Sequence, residues 1–147
     1  MHNKIKNEKE KIVILISSCK GGVGKSTTTI NIAHALKIKN IKIGILDADI
    51  YGSTIPNMIG EKNIYENELK NKKISPITKF GIKTIAVGYF IKNSPIMWRG
   101  PILNQVITKI ITDTEWNDID VLIIDTPPGT GDVHLTIIQK IKINYVI

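Results

Sequence analysis

The chain is organised around the stretch SCKGGVGKSTT, which occupies residues 18–28. A short apolar run, IVILI, occupies residues 12–16, and a pattern typical of a helix continues from residue 27 to about residue 39. A strand, a glycine-rich turn and a helix in this order form the context in which a loop can bind phosphate. Glycines allow backbone N–H groups to surround an anion, and the helix adds the positive end of its dipole. The stretch therefore predicts a nucleotide-phosphate site.

The loop departs from the strict pattern G-x-x-x-x-G-K-[ST], because Cys19 stands where the first glycine belongs. What remains is the form K-G-G-x-G-K-[ST], in which Lys20 is a second lysine. Lys25 can reach the β- and γ-phosphates of a nucleotide, and the Ser26 hydroxyl can ligate Mg²⁺. We therefore predict that the nucleotide is contacted by the loop residues Cys19, Lys20, Gly21, Gly22, Val23, Gly24, Lys25, Ser26 and Thr27.

The composition is typical of a globular domain, with 42% apolar and 22% charged residues in a chain of 147. One cysteine excludes an intrachain disulfide and cannot make a structural zinc or iron–sulfur site by itself. The net charge of +7 is spread over lysines scattered among Asn and Ile, so we expect neither a nucleic acid nor a membrane partner. The polar residues 1–11 contain no apolar signal segment, which predicts a cytoplasmic protein.

Strands and helices alternate along the chain. We predict strands at residues 12–16, 41–46, 82–87, 121–124 and 145–147. We predict helices at residues 27–39, 55–59, 101–111 and 133–141, with the remainder of residues 50–79 irregular. Strands that are apolar almost throughout are typical of a parallel sheet covered on both faces. The expected fold is therefore a three-layer α/β domain over residues 12–147, preceded by a polar tail at residues 1–11.

Carboxylates follow two of the predicted strands at their carboxyl ends. Asp47 and Asp49 follow the second strand, and Asp125 follows the fourth. Ligands of open parallel sheets bind at the carboxyl ends of the strands. We therefore expect these side chains to converge on the loop at residues 18–28, here called the phosphate loop. An aspartate after four apolar residues is typical of the carboxylate that holds Mg²⁺ through water. We predict that Mg²⁺ is held, partly through water, by Ser26, Asp47, Asp49 and Asp125.

The sequence resembles the Mrp/ApbC-type iron–sulfur cluster carriers, within the class of P-loop ATPases that also holds MinD, ParA and the nitrogenase iron protein. The loop at residues 19–28 places the chain in this class. The stretches DADIYG at residues 47–52, WRGP at residues 98–101 and DTPPGTGD at residues 125–132 are more specific to the carriers. Together, the four stretches extend over most of residues 11–147.

The resemblance implies roles for individual residues. Lys25, Ser26 and Thr27 would bind the phosphates and Mg²⁺. Lys20 matches the signature lysine that reaches across a dimer interface to the nucleotide of the partner, and Asp49 matches the residue that positions or activates the attacking water. Lys20, Lys25 and Asp49 are thus the expected catalytic residues.

The resemblance implies two further roles. Asp47 would lie beside the Mg²⁺ site. Asp125, with residues 127–132, would form the switch that senses the γ-phosphate. His134 follows this switch, and packing is the more ordinary explanation for it than catalysis.

The implied function is that of a cytoplasmic homodimer that binds ATP with Mg²⁺, hydrolyses ATP slowly and delivers [4Fe–4S] clusters to apoproteins. Carriers of this family continue for roughly another hundred residues, which supply the C-x-x-C pair that holds the cluster. This pair is absent here, so we expect the chain to be truncated after about five strands and to bind no stable cluster alone. Two alternatives stay open: a ParA/MinD-like positioning ATPase, and an inert fragment of a split carrier gene.

Overall fold

The computed structural model describes residues 11–61, 73–91 and 101–147. Most of the predicted tail and residues 98–100 of the WRGP stretch lie outside the described residues. The strands are β1 (Ile12–Ile16), β2 (Ile43–Asp47), β3 (Ile77–Lys79), β4 (Ile82–Ala86), β5 (Val121–Asp125) and β6 (Tyr145–Val146). The helices are α1 (Lys25–Ile38), α2 (Ile55–Met58), α3 (Gly88–Ile91), α4 (Pro101–Asp113) and α5 (Asp132–Lys140). Within these described ranges, no helix is long and apolar enough to cross a membrane.

The strands form one six-stranded sheet in the order β3-β4-β2-β5-β1-β6. All neighbours pair in parallel except β3 and β4, which are antiparallel. Parallel neighbours require crossover connections, and the helices between the strands provide them. β2 and β5 lie at the centre and are buried along their whole length. The predicted α/β fold with a mostly parallel sheet is therefore confirmed.

Alternate side chains of the strands pack into two hydrophobic clusters, one on each face of the sheet. On one face, α4 and α5 cover the sheet, and the cluster includes Leu15, Leu46, Leu122, Ile107 and Ile137. On the other face, α1 and α2 cover it, and the cluster includes Ile45, Ile123, Ala33 and Ile55. The molecule thus has the three layers expected from its continuously apolar strands.

The structure differs from the prediction along residues 77–91. Residues 77–79 were expected to be irregular but form β3, so the sheet has one strand more than predicted. β3 joins β4 through Phe80 and Gly81, whose φ angles of 51° and 70° place both in the left-handed region. This hairpin turn normally carries Asn-Gly or Asp-Gly, so Phe-Gly did not signal it. The predicted strand 82–87 ends at Ala86, and the short helix α3 begins at Gly88.

Candidate functional site

The carboxyl ends of β1, β2 and β5 meet at one edge of the sheet, because these three strands are parallel neighbours. A cleft of about 630 Å³ opens there between the loop after β1 and the region of α2. The lining residues are Gly21, Gly22, Gly24, Lys25, Ser26, Thr27, Asp49, Gly52, Thr54, Met58 and Pro128. The convergence expected from the order of strands and helices is therefore present for the phosphate loop and Asp49.

The phosphate loop has the backbone conformation that its glycines allow. Gly22 and Gly24 have φ angles of 73° and 95°, and a Cβ added at either position would contact nothing within 4 Å. Glycine is thus required there by the left-handed backbone rather than by lack of space. α1 begins at Lys25, two residues earlier than predicted, and no side chain caps its N-terminus. The first N–H groups of a helix have no partner within the helix, so those of α1 are available to an anion.

Ser26 lines the cleft and is hydrogen-bonded to Asp125, which does not line it. The Ser26 hydroxyl donates a 2.5 Å hydrogen bond to Asp125 Oδ2. Asp125 is fully buried, and its Oδ1 has no hydrogen-bond partner among the described residues. The buried hydroxyl of Thr29 lies near enough to favour the ionised carboxylate, although it is not placed to hydrogen-bond it. A hydroxyl and a carboxylate oxygen without a partner are the hard oxygen donors that suit Mg²⁺.

The described residues contain no group of three His, Cys, Asp or Glu side chains placed to hold a metal ion. A cation at Ser26 and Asp125 would therefore need phosphate oxygens and water to complete its coordination. Mg²⁺ is commonly bound in this way, through one or two carboxylates together with the phosphates of a substrate. The donors present thus fit Mg²⁺ that arrives with a nucleotide.

Asp47 points into its own loop, where three donors contact its carboxylate. Oδ1 accepts the backbone N–H of Asp49 at 3.0 Å, and Oδ2 accepts the Ser53 hydroxyl at 2.8 Å and the Ile55 N–H at 3.4 Å. Burial raises the pKa of Asp47 to about 7, against the effect of the Ser53 hydrogen bond and with a further rise from the charge of Asp125. These contacts make Asp47 the anchor of residues 49–55.

Asp49 is placed differently from Asp47, since it lines the cleft. It is 9% exposed, and its Oδ1 accepts the backbone N–H groups of Tyr51 at 3.2 Å and of Gly52 at 2.9 Å. Asp47 and Asp49 are two residues apart, yet Asp47 forms hydrogen bonds within its own loop and Asp49 lines the cleft beside the phosphate loop. Only the second is placed to act on a bound molecule directly.

The buried carboxylates influence one another electrostatically. Burial raises the pKa of Asp125, and the charge of Asp49 adds to the rise. The hydrogen bond from Ser26 and the charge of Lys25 act in the opposite direction. Concentrated negative charge at this edge of the sheet would favour a divalent cation, because a cation would compensate the desolvated carboxylates.

Three of the nine predicted loop residues do not line the cleft. Cys19 and Lys20 are exposed, and the side chain of Val23 is 60% exposed. The backbone carbonyl of Lys20 accepts the Ser18 hydroxyl at 2.7 Å, which fixes the start of the loop. The side chain of Lys20 is thus presented to solvent rather than to the cleft of its own chain.

Part of the cleft wall and the hydrogen bonds of a polar cluster at the ends of β1 and β5 were not predicted from the sequence. Gly52, Thr54 and Met58 line the cleft but fall in the segment expected to be irregular apart from a short helix. The cluster consists of the buried Thr126 and His134 and the partly buried Ser17. Ser17 and Thr126 directly follow β1 and β5, so the rule that ligands bind at strand ends could have drawn attention to them.

Comparison with known proteins identifies the family. A model described as the NUBPL iron-transfer P-loop NTPase matches residues 9–147. The iron-sulfur cluster carrier protein of Rickettsia felis is 44% identical over 141 residues, which are 95% of this chain and 44% of the relative. The carrier protein of Methanocaldococcus jannaschii is 48% identical over 135 residues, 90% of this chain and 46% of the relative. The resemblance to the cluster carriers is confirmed.

The fold is shared with solved structures. A nucleotide-binding protein from Archaeoglobus fulgidus, in complex with ADP, superposes with a TM-score of 0.74 at 32% identity, over 92% of this chain and 52% of that one. The chain spans about half the length of the curated relatives it matches. The match nevertheless includes the phosphate loop and all three strand-end aspartates. The chain therefore belongs to the NUBPL iron-transfer P-loop NTPase family.

Proposed function

We propose that this chain binds and hydrolyses ATP with Mg²⁺ as part of an iron–sulfur cluster carrier. The observation that carries the proposal is the hydrogen-bonded pair of Ser26 and Asp125 beneath the uncapped start of α1, with Asp49 lining the same cleft. This arrangement provides an anion site and a cation site side by side, as a nucleotide with its metal requires.

The phosphate loop would bind and orient the triphosphate. Its N–H groups and the Lys25 ammonium would contact phosphate oxygens, while Ser26 and Asp125 would hold Mg²⁺, the latter through water. Held by Ser26 and Asp125, Mg²⁺ would supply positive charge that offsets the charge developing on the phosphate oxygens. Asp47 would contribute by anchoring the loop that carries Asp49, since its carboxylate oxygens are occupied by donors from that loop. We name ATP rather than another nucleotide because the family to which the chain belongs implies it.

Asp49 would orient the attacking water and accept its proton. We expect Asp49→Asn to lower kcat for ATP hydrolysis about 10²- to 10⁴-fold, the usual contribution of a general base. The affinity for MgATP should change much less, because Asn keeps the oxygen that accepts the Tyr51 and Gly52 N–H groups. Phosphate release and nucleotide titration would measure the two effects separately.

Asp118→Asn is the matched control, since Asp118 is exposed and tolerates the left-handed φ of 62° that Asn also adopts. It should hydrolyse ATP like the unaltered chain. An Asp49→Asn variant with unchanged kcat would show that Asp49 does not act on water.

A second copy of the chain would complete the site. Lys20 is exposed and does not line its own cleft, so its ammonium is available to the nucleotide of a partner. A cation supplied in this way would stabilise the charge on the transferred phosphoryl group. We therefore propose a homodimer in which Lys20 acts in trans, in the cytoplasm, with iron–sulfur apoproteins as clients.

The cluster would be the cargo of the carrier, and the residues of this chain do not fit it. Iron–sulfur clusters are usually held by four cysteine thiolates, and two copies of this chain bring two. Both copies of Cys19 would also lie on the phosphate loop. We expect the purified chain, after incubation with Fe²⁺ and sulfide, to retain far less than one cluster per dimer. Iron and acid-labile sulfide assays would measure this, and a full cluster that survives desalting would contradict the prediction.

The two alternatives are less well supported than a carrier. The curated relatives reported above are carriers, which argues against a positioning ATPase. An inert fragment would bind no nucleotide, so it is distinguished by the MgATP titration of the unaltered chain.

A further inference from the structure

We propose that His134 is a positioning residue of the phosphate site, which ties the segment after β5 to the end of β1 through its Nε2 atom. The proposal rests on the proposed function, because it concerns how the same site binds MgATP. No contact between His134 and the nucleotide is implied, since His134 does not line the cleft. It lies in the first turn of α5.

The hydrogen bonds of His134 connect the segment after β5 to the end of β1. Its Nε2 lies 3.0 Å from the Thr126 hydroxyl and 3.3 Å from the Ser17 hydroxyl. The Thr126 hydroxyl donates to the backbone carbonyl of Ile16 at 2.9 Å, so its own proton is already used. It must therefore accept from the imidazole, which places the proton of a neutral His134 on Nε2.

The two hydroxyls belong to residues adjacent to both halves of the phosphate site. Thr126 directly follows Asp125, whose carboxylate holds Ser26. Ser17 directly precedes the phosphate loop, and the next carbonyl, that of Ser18, accepts the Gly129 N–H at 2.9 Å. One imidazole thus spans the start of the loop and the start of the segment at residues 126–131. A shift of His134 would change how the loop is placed relative to Asp125.

A packing role alone does not explain this residue. His134 is 8% exposed, and its Nδ1 is buried without a hydrogen-bond partner among the described residues. An apolar side chain would fill the space without the cost of an unpaired buried nitrogen. Burial, together with the charge of Lys25, lowers the pKa of His134, which favours the neutral form with one donor. The histidine is therefore explained better by the hydrogen bonds that Nε2 makes.

Loss of the hydrogen bonds made by His134 should weaken the binding of MgATP more than the binding of ADP without metal. The N–H groups of the loop and Lys25 can bind the diphosphate by themselves, whereas MgATP also engages the Asp125 side of the site. We expect His134→Leu to weaken MgATP binding about tenfold, because a lost hydrogen bond and poorer positioning each contribute. Binding of ADP in the presence of a chelator should change less than about twofold.

Three variants distinguish the hydrogen bond from packing. The amide nitrogen of Gln can reach the position of Nε2, whereas that of Asn reaches only the position of Nδ1. We expect His134→Gln to keep MgATP affinity within about threefold of the unaltered chain, and His134→Asn and His134→Leu to show the selective loss. Titration of a fluorescent ATP analogue with Mg²⁺, and of ADP with chelator, would measure both affinities for each variant.

Equal MgATP affinity in all three variants would overturn the inference, as would equal losses of MgATP and ADP binding in all three. Thr126→Val keeps the imidazole and removes the nearer of its two hydroxyl partners, together with the bond to the Ile16 carbonyl, and it covers the case in which His134→Leu fails to fold. It should show the same selective loss, and normal MgATP binding would again overturn the inference. If the unaltered chain binds no MgATP, the proposed function fails instead.

Discussion

Lys25→Ala is expected to abolish measurable MgATP binding, with a loss of affinity of at least about 100-fold. Lys25 is the first residue of α1 and lines the cleft beside Ser26. Its ammonium would make charge-assisted hydrogen bonds to phosphate oxygens, each worth about 1.5–3 kcal/mol. The alanine keeps the helix start, because alanine is the strongest helix former, so the loss would be of charge rather than of structure.

Lys39→Ala is the matched control. Lys39 is exposed at the opposite end of α1, so this variant has the same net charge as Lys25→Ala but an intact phosphate loop. It should bind MgATP like the unaltered chain in a titration at fixed ionic strength, since long-range charge effects are screened by salt. Equal affinities of Lys25→Ala and the unaltered chain would refute the assigned site. Absence of binding in the unaltered chain would instead favour the inert fragment.

The buried Asp47 should make the protein less stable as pH rises. Its pKa is raised from 3.8 to about 7, so between these values the folded chain holds a proton that the unfolded chain has lost. The contribution of this group is therefore fully present below pH 3.8 and is lost as pH rises through about 7. A shift of this size corresponds to about 4 kcal/mol of unfolding free energy. Asp125 acts in the same direction, because its pKa is also raised.

Asp47→Asn should remove much of this pH dependence while keeping the loop. The amide oxygen can accept the Asp49 N–H, and the amide nitrogen can donate to the Ser53 hydroxyl, so that only the 3.4 Å contact with the Ile55 N–H is lost. Urea unfolding without nucleotide or Mg²⁺, at several pH values between 4.5 and 8.5, would measure the free energy of unfolding. Asp118→Asn should keep the full slope, since Asp118 is exposed. An identical slope in Asp47→Asn and the unaltered chain would show that Asp47 is not the titrating group.

The phosphate loop, the principal strands and the place of the site could be predicted from the sequence, because each depends on neighbours along the chain. The glycines of residues 21–24 specify a turn, and the apolar runs before Asp47 and Asp125 specify buried strands. In a parallel sheet, the ends of such strands lie at one edge whatever the order of the strands. That these strand ends lie near the phosphate loop could therefore be expected without knowing the order of the strands, whereas the contacts between individual side chains could not.

The different placements of Asp47 and Asp49, one within its own loop and one in the cleft, could not be predicted from the sequence. Both were predicted as metal ligands, and both follow the same strand. In the structure, hydrogen bonds from Ser53 and Ile55 direct Asp47 into its own loop, while Asp49 lines the cleft. The conformation of residues 49–55 decides this, and it depends on packing of α2 against the sheet. Strand β3 escaped prediction for a similar reason, since its pairing depends on β4 rather than on its own three residues.

The sequence by itself determined the family and the α/β class, and it predicts the residues that would contact phosphate, because local patterns of glycine, lysine and apolar residues underlie all three. Only the tertiary structure decided which polar groups meet. Ser26 and Asp125 are 99 positions apart, and Ser17 and His134 are 117 apart, yet each pair forms a hydrogen bond. Such contacts follow from the order of the strands and the seating of α5, which place distant segments together. No local pattern encodes them, because the free energy that holds them comes from burial over the whole sheet.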